Sequence, residues 1–121
     1  MPIVKIELVG KYEAAKKQAL CDFVADQICS HTATFPKNIY VYINEWDREN
    51  VRKTAPVVMI TWTAMPETRT HEAKQAIMLA MTDYLAEMTG ENRSEIVVLI
   101  SEVPLKDAML GGINRYDNPN W

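Results

Sequence analysis

Pro2 follows the initiator methionine and opens the apolar segment from Ile3 to Leu8. Removal of the methionine would give Pro2 a free secondary amine, whereas the nitrogen of an internal proline is part of an amide. A free α-amino group has a pKa of about 8, and burial of the cation lowers that pKa. We therefore expect Pro2, at the mouth of an apolar pocket, to act as a neutral general base near pH 7.

An internal repeat divides the chain into two units. From Lys17 to Glu45, the chain aligns without a gap with the residues 57 positions later, and the two segments agree in pattern with modest identity. Before the predicted helices the offset is 54, which pairs Pro2 with Pro56, and the difference is a three-residue insertion around residues 64–68. The chain therefore resembles a duplicated unit.

Length and composition predict one compact domain. The chain has 121 residues, 48% of them hydrophobic, so the two units together can bury a core that neither could bury alone. We predict a single domain over 1–121, with unit one at 2–50, unit two at 56–112 and a C-terminal tail at 113–121. The net charge of −3 and the scattered basic residues argue against a nucleic-acid partner.

The remaining composition suggests a cytoplasmic protein with no membrane partner. No targeting segment is evident, and no apolar run approaches the length of a membrane span. Cys21 and Cys29 lie eight residues apart on one predicted helix, a rise of about 12 Å, which is too far for a disulfide. No ligand cluster or phosphate-binding loop is present, so we expect neither a metal nor an organic cofactor.

Each unit has the pattern strand, helix, strand, which runs parallel and right-handed within one sheet. The predicted fold is α/β, with two tandem β-α-β units forming a four-stranded, mainly parallel sheet covered on one face by two helices. The other face would then carry apolar side chains and require an oligomeric partner. Predicted elements are strands at 2–8, 39–43, 56–63 and 95–101, a helix at 13–30, and a helix capped by Thr70 and Gly90. Predicted buried helix positions are Ala19, Leu20, Phe23, Val24 and Ile28, then Ala73, Ile77, Ala80, Met81, Tyr84, Leu85 and Met88.

These residues resemble the oxalocrotonate tautomerase superfamily, in its fused two-unit form. The pattern is a proline after Met, a short strand, a turn with arginine before a Glu-x-Lys-type helix, and a strand ending in Glu. The second unit matches it more closely, with segments at 56–58, 69–74, 100–104 and 111–112. The resemblance covers roughly residues 2–112 and implies a tautomerase fold of the MIF-like kind.

The resemblance also implies site residues and an assembly. Pro2 would be the catalytic base, and Pro56 could not replace it because its nitrogen is an amide. Arg69 would bind the carboxylate of a small anionic substrate with its planar guanidinium. Lys11, in the turn that we match to Arg69, would supply a second positive charge. Three chains would form a ring, in which the tail from Gly111 to Tyr116, with Trp121, reaches a neighbouring chain.

Several positions depart from the family pattern. The second family arginine falls at Tyr40 and Val97, and the pocket aromatic falls at Ala108. Asn38 lies near the aspartate position of the decarboxylase members. We expect Tyr40 and Trp46 to supply the missing hydrogen-bond donors. The histidines, His31 and His71, are expected at helix ends, and Glu45 and Glu102 are expected to support the fold at strand ends.

The predicted activity is cofactor-independent keto–enol or double-bond isomerisation of a small carboxylate. Neutral Pro2 would move a proton between two atoms of the substrate, and Arg69 would stabilise the developing negative charge. One alternative is a hydratase, dehalogenase or decarboxylase in which protonated Pro2 acts as an acid. Another is a non-catalytic binding protein that retains the fold.

Overall fold

The computed structural model describes residues 1–118 and contains every predicted strand and helix, with ends shifted by at most three residues. The elements are β1 (Ile3–Val9), α1 (Ala14–His31), β2 (Tyr40–Trp46), β3 (Val57–Thr63), α2 (His71–Thr89), β4 (Val97–Val103), β5 (Met109–Leu110) and β6 (Ile113–Asn114). Short 3₁₀ turns lie at Pro36–Asn38, Arg48–Asn50, Arg93–Glu95 and Leu105–Asp107.

The main sheet has four strands in the order β2-β1-β3-β4. The pairs β1–β2 and β3–β4 are parallel, as predicted for each β-α-β unit, whereas β1 and β3 pair antiparallel at the junction. In that junction Ile3 lies opposite Thr61 and Glu7 lies opposite Val57. The end of β3 therefore lies beside the start of β1, and this arrangement determines where the site forms.

The predicted repeat holds for the structure as well as for the sequence. The helices α1 and α2 begin 57 residues apart, and β1 and β3 begin 54 apart, so the three-residue insertion lies between β3 and α2. The same ion pair recurs in both units: Lys17 binds Glu45 at 3.0 Å, and Lys74 binds Glu102 at 2.9 Å. Each pair links the first turns of a helix to the end of the strand that follows it.

The two helices end differently although they are equivalent in the repeat. The hydroxyl of Thr70 accepts a hydrogen bond from the Ala73 backbone N–H at 3.1 Å, which confirms the predicted N-cap. Glu13 occupies the same position in α1 without a side-chain cap. Gly90 ends α2 with φ 74°, the left-handed conformation that favours glycine.

The hydrophobic core lies between the sheet and the two helices. The predicted helix positions need correction: Ala19 is exposed on α1, whereas Phe23, Ala80, Tyr84 and Met88 are only partly buried. A stripe of three fully buried residues from α1 and three from α2 still packs against the sheet, as helical periodicity requires. The core residues are Val4, Ile6, Leu8, Leu20, Val24, Ile28, Val58, Ile60, Trp62, Ile77, Met81 and Leu85.

The opposite face of the sheet is open and apolar, as predicted. Side chains on this face alternate with the buried ones along each strand. Large apolar residues exposed there include Tyr40, Tyr42, Met59, Val97 and Leu99. Neither helix in the part of the chain that the structure describes is long and apolar enough to cross a membrane.

The strands β5 and β6 form a two-residue hairpin around the predicted glycine pair. Leu110 pairs with Ile113, and Gly111 and Gly112 both have positive φ, at 61° and 79°. Positive φ at both central residues is the requirement of a type I′ turn, which glycine meets without strain. Trp121, which we expected to contact a neighbouring chain, lies outside the described residues.

Candidate active site

A cavity of about 270 Å³ lies where β1 begins and β3 ends. It forms there because the antiparallel junction brings the chain start beside the end of β3, and because the 3₁₀ turn after β4 covers it from one side. The lining residues are Met1, Ile3, Thr61, Trp62, Thr63, Val103, Asp107, Ala108 and Met109. The cavity combines an apolar floor with the amino-terminal amine of the chain.

Pro2 is buried at this end of the sheet. Its carbonyl accepts a hydrogen bond from the Tyr40 backbone N–H at 2.9 Å, which fixes the chain start to β2. Pro56 is held in the same way in the second unit, where its carbonyl accepts from Val97 at 3.2 Å. The two prolines are thus equivalent in position, but the Pro56 nitrogen is inside the chain as an amide.

The environment of the chain start disfavours positive charge. The pKa of the Met1 amine is lowered to about 5, first by burial and then by the charges of Arg69 and Arg115. Below that pKa the amine is protonated, and above it the amine is neutral and carries a basic lone pair. An amine in this position is therefore neutral at pH 7, the state that a general base needs.

Arg69 lies just before the N-cap of α2, and only 3% of the residue is exposed. The three-residue insertion forms a turn in which the Arg69 backbone N–H donates to the Met65 carbonyl at 2.8 Å. The side chain then donates from Nη1 to the hydroxyl and the carbonyl of Thr63, and from Nη2 to the hydroxyl of Thr34. Its guanidinium carbon also lies 4.9 Å from the centroid of the Trp62 ring.

One side-chain donor of Arg69 makes no hydrogen bond. The Nε–H group is buried, yet it has no acceptor among residues 1–118. Burial lowers the pKa of Arg69 to about 10, with Arg115 acting in the same direction and Glu102 opposing. Arg69 therefore stays protonated at neutral pH and holds a positive charge at the Pro2 end of the sheet.

Glu102 supports this end of the sheet, as predicted. It accepts from Lys74 at 2.9 Å and from the Trp62 indole at 3.1 Å. Burial acts to raise the pKa of Glu102, but these hydrogen bonds outweigh it and the net shift is downward. Glu102 is therefore ionised at neutral pH, and it holds Trp62 under the Arg69 guanidinium.

Tyr40 lies at the same end of the sheet as Pro2, in register with Ile3. Because register partners share a face, its side chain lies on the open face, where 38% of the residue is exposed. Ala108 lines the cavity, and its small side chain leaves space where the family pattern has an aromatic ring. Asn38 is buried in the 3₁₀ turn just before Tyr40.

Lys11 and Trp46 lie at the opposite end of the sheet. Lys11 lies just beyond the end of β1 and Trp46 is the last residue of β2, about 20 Å from Pro2 along a seven-residue strand. A single small carboxylate cannot contact Pro2 and either of these residues in one chain. Trp46 instead donates its indole N–H to Glu7 at 2.9 Å, and Lys11 is exposed.

The match between Lys11 and Arg69 also needs correction. The helices start 57 residues apart, so the structural equivalent of Arg69 is Tyr12, one position after Lys11. Tyr12 packs against the hydrophobic core, and its backbone N–H donates to Glu45 at 2.7 Å. The Pro56 end therefore has neither a free proline amine nor an arginine in the equivalent position.

Arg115 is a buried cation near the chain start that sequence reasoning did not single out. It follows β6, is 4% exposed, and its charge lowers the pKa of the amino-terminal amine. The only sequence signal was its position just after the Gly111–Gly112 turn, which folds the chain back toward the cavity. His31 and His71, by contrast, are exposed at helix ends, as expected.

Among residues 1–118, no three His, Cys, Asp or Glu side chains lie close enough together to hold a metal ion.

Comparison with known proteins bears on the fold and on the second unit. A family model described as "Tautomerase enzyme" matches residues 56–113. No curated protein sequence is similar enough to this chain to count as a match.

Solved structures match the whole chain. It is similar to a native fused 4-OT, with 17% identity and a TM-score of 0.85 over 98% of this chain and 99% of that one. It is also similar to a wild-type fused 4-OT described as an asymmetric trimer, with 18% identity and a TM-score of 0.84 over 98% and 99%. A malonate semialdehyde decarboxylase inhibited by 3-bromopropiolate gives 20% identity and 0.78 over 98% and 97%.

These matches identify the fold and the family that the second unit resembles. The whole chain has the fold of the fused two-unit 4-OT structures, which the malonate semialdehyde decarboxylase shares. The second unit, residues 56–113, matches the tautomerase family model.

Proposed function

We propose that this protein is a cofactor-independent tautomerase that isomerises a small carboxylate, with Pro2 as its general base. Loss of Met1 would leave the Pro2 amine in the environment that now lowers the pKa of the Met1 amine to about 5. That environment is the observation that carries the proposal, because it favours the neutral amine at pH 7. Pro2 is itself buried, and its neighbours Met1 and Ile3 line the cavity, so its amine would not be solvated as a free amine is.

The proposed reaction is a proton transfer within one substrate molecule. The Pro2 nitrogen takes a proton from the enol oxygen or from a carbon beside the carbonyl, and the electron pair moves through the conjugated system. The protonated amine then returns the proton to the other end of that system. Arg69 binds the carboxylate or the developing enolate oxygen with its charge and its available Nε–H.

The same environment argues against the alternative in which Pro2 works as an acid. An acid role in hydration, dehalogenation or decarboxylation requires a protonated amine at working pH, and therefore a pKa well above 7. Burial and two nearby guanidinium charges all lower that pKa. A non-catalytic role remains the competing class, and the experiment below distinguishes it.

We also propose that three chains assemble through the open face of the sheet. The fused 4-OT structures similar to this chain include one described as an asymmetric trimer and one described as a symmetric trimer. Six-sided closure by three two-unit chains would cover the apolar residues of that face. The cytoplasmic location stays a prediction from the sequence.

The test of the general base compares Pro2→Ala with Pro56→Ala. Intact-mass spectrometry of the wild-type protein should first show loss of one methionine residue. Keto–enol turnover of an aryl 2-oxo acid such as phenylpyruvate should then fall about 10²-fold or more in Pro2→Ala, since general base catalysis contributes that much. Pro56→Ala, at the equivalent place in the repeat, should keep turnover close to that of the wild type.

The pH dependence follows from the sign of the pKa shift. A base is active when neutral, so kcat/KM should rise with pH through the pKa of the Pro2 amine and reach its plateau well below the ordinary value of about 8. Turnover that survives in Pro2→Ala, or that falls equally in both variants, would refute the general-base role. Retention of Met1 in the active protein would refute it too.

A further inference from the structure

The three-residue insertion between β3 and α2 forms the wall of a second cavity, with a volume of about 270 Å³. Ala64, Met65 and Pro66 line it from the insertion. The backbone N–H groups of Thr68 and Arg69 both donate to the Met65 carbonyl, at 3.1 and 2.8 Å, which closes the turn. In the part of the chain that the structure describes, this cavity shares no lining residue with the cavity at the chain start. The insertion therefore gives unit two a cavity at the start of its helix.

Arg69 lines this second cavity and brings a buried donor to it. Only 3% of the residue is exposed. Its terminal nitrogens donate to Thr63 and Thr34, but the Nε–H group has no acceptor among residues 1–118. A buried donor of a charged group is destabilising when it is left unpaired. An anion in the cavity would supply the missing acceptor.

The first turn of α2 adds backbone donors to the same cavity. The first N–H groups of a helix have no acceptor within the helix. In α2 the Ala73 N–H donates to the Thr70 hydroxyl, and the Lys74 N–H donates to the Thr70 carbonyl. The N–H groups of His71 and Glu72 remain for solvent or a ligand, and both Thr70 and His71 line the cavity. These N–H groups and the positive end of the helix dipole favour an anion there.

The charged side chains that line the cavity leave an excess of positive charge. Lys74 pairs with Glu102 at 2.9 Å, and its ammonium group has further donors. Arg69 and Lys74 together therefore face a single carboxylate in the lining. Glu67 and Glu72 are exposed and lie outside the lining. The potential of the cavity thus favours a small anion.

We propose that the cavity at the start of α2 is a binding site for a small phosphate-type oxyanion, either free phosphate or the phosphate group of a small ester. The Arg69 Nε–H, the Lys74 ammonium and the first N–H groups of α2 hold its oxygens. Donors of several kinds suit an anion with several acceptor oxygens. Unit one lacks the arginine and the hydroxyl cap, because Tyr12 and Glu13 occupy the positions of Arg69 and Thr70.

Occupation of this site should inhibit the enzyme, and this consequence rests on the function proposed above. Arg69 also donates to the hydroxyl of Thr63, which lines the cavity at the chain start. Arg69 thus lines one cavity and contacts the wall of the other. An oxyanion that accepts from Nε–H and offsets the charge of Arg69 would weaken its interaction with the substrate carboxylate, so phosphate should raise KM.

The experiment uses the full-length wild-type protein, Lys74→Met and, as a matched control, Lys17→Met. Lys17 forms the equivalent ion pair with Glu45 in unit one, so both variants lose one ammonium and leave one carboxylate unpaired. Backbone amide chemical shifts are followed by NMR while inorganic phosphate or glycerol phosphate is added at constant ionic strength. The titration gives both the affinity and the place of binding.

We expect saturable shifts at the amides of His71 and Glu72, and none at Ala14 and Ala15, the equivalent positions of α1. Lys74→Met should weaken phosphate binding by about tenfold or more, the range for a hydrogen bond to a charged group. Lys17→Met should keep the affinity of the wild type. Whichever of the two probes binds more tightly identifies the source of the ligand, free ion or ester.

The site and its effect on catalysis fail separately. Wild-type protein without tautomerase turnover would refute the proposed function, yet saturable shifts at the start of α2 would still support the anion site. Absence of those shifts, or equal phosphate affinity in Lys74→Met and Lys17→Met, would overturn the site even in an active enzyme. Phosphate that binds there without raising KM would overturn the inhibition alone. If Lys74→Met does not fold, the amide shifts of the wild-type protein decide the question.

Discussion

At the scale of single residues, small differences between the two units distinguish the two ends of the sheet. Pro2 can gain a free amine, whereas Pro56 cannot. Arg69 and Tyr12 occupy equivalent positions before the helices, yet only Arg69 brings a charge. A duplicated framework thus supports one candidate site, because the proline with a free amine and the arginine meet at the same end.

Arg69 should affect both binding and turnover. Arg69→Met removes a charged donor that lies beside the amine, so kcat/KM for a 2-oxo acid should fall by roughly 10- to 100-fold or more. The steady-state rate is measured alongside the pH profile, whose rise should move to higher pH because the positive charge of Arg69 lowers the amine pKa.

The control for Arg69 is Arg93→Met. Arg93 forms an exposed ion pair with Asp83 and lies before β4, at the far end of the sheet. Its removal should leave both kcat/KM and the pH profile unchanged. Equal kcat/KM in Arg69→Met and Arg93→Met would place Arg69 outside the site. Circular dichroism of each variant checks folding, since Arg69 also bonds to Thr63 and Thr34.

Sequence reasoning found the residues that local pattern determines and missed those that depend on folding. Pro2 was proposed from its place at the start of a strand, and Arg69 was proposed because the turn before the second helix resembles the family pattern. Arg115 was missed because it belongs to no repeat, and only the chain reversal at Gly111 and Gly112 brings it back toward the chain start. Lys11 was matched to Arg69 because both lie in the turn before a helix. The exact starts of the helices, 57 residues apart, place Tyr12 at that position instead.

At the scale of elements, the pairing of the strands explains why Trp46 lies far from Pro2, although the sequence predicted it in the same site. Periodicity correctly predicted the strands and helices, since alternation and helical spacing are local properties. The antiparallel pairing of β1 with β3 is a long-range property. It brings the end of β3 beside Pro2, whereas the parallel pairing of β1 with β2 places Tyr40 at the Pro2 end and Trp46 at the opposite end.

The caps of the two helices give a matched stability test. Thr70→Ala removes the hydrogen bond from the Ala73 N–H and should lower the free energy of unfolding by about 1 kcal/mol. Glu13→Ala, at the equivalent position of α1, should change it little, because Glu13 makes no side-chain cap. Urea denaturation followed by circular dichroism, at one fixed protein concentration, measures both. Equal losses in the two variants would contradict the capping argument.

At the scale of the whole molecule, the sheet has one face covered by the helices and one exposed face. The helices cover the core side of the sheet, while Tyr42 and Leu99 on the other side are each 54% exposed. The outer strands β2 and β4 also have an unpaired edge within the main sheet. An open apolar face and two free edges together favour association with further copies of the chain.

The test of assembly compares Leu99→Asp with Leu79→Asp. Both leucines are 54% exposed, but Leu99 lies on the open sheet face and Leu79 lies on α2. Burying a carboxylate in an apolar interface is unfavourable, so Leu99→Asp should lower the mass measured by light scattering, whereas Leu79→Asp should keep the wild-type mass near three chains. A wild-type protein that stays a monodisperse monomer at micromolar concentration would refute the trimer. A Leu99→Asp variant that keeps the wild-type mass would show that the chains associate through another surface.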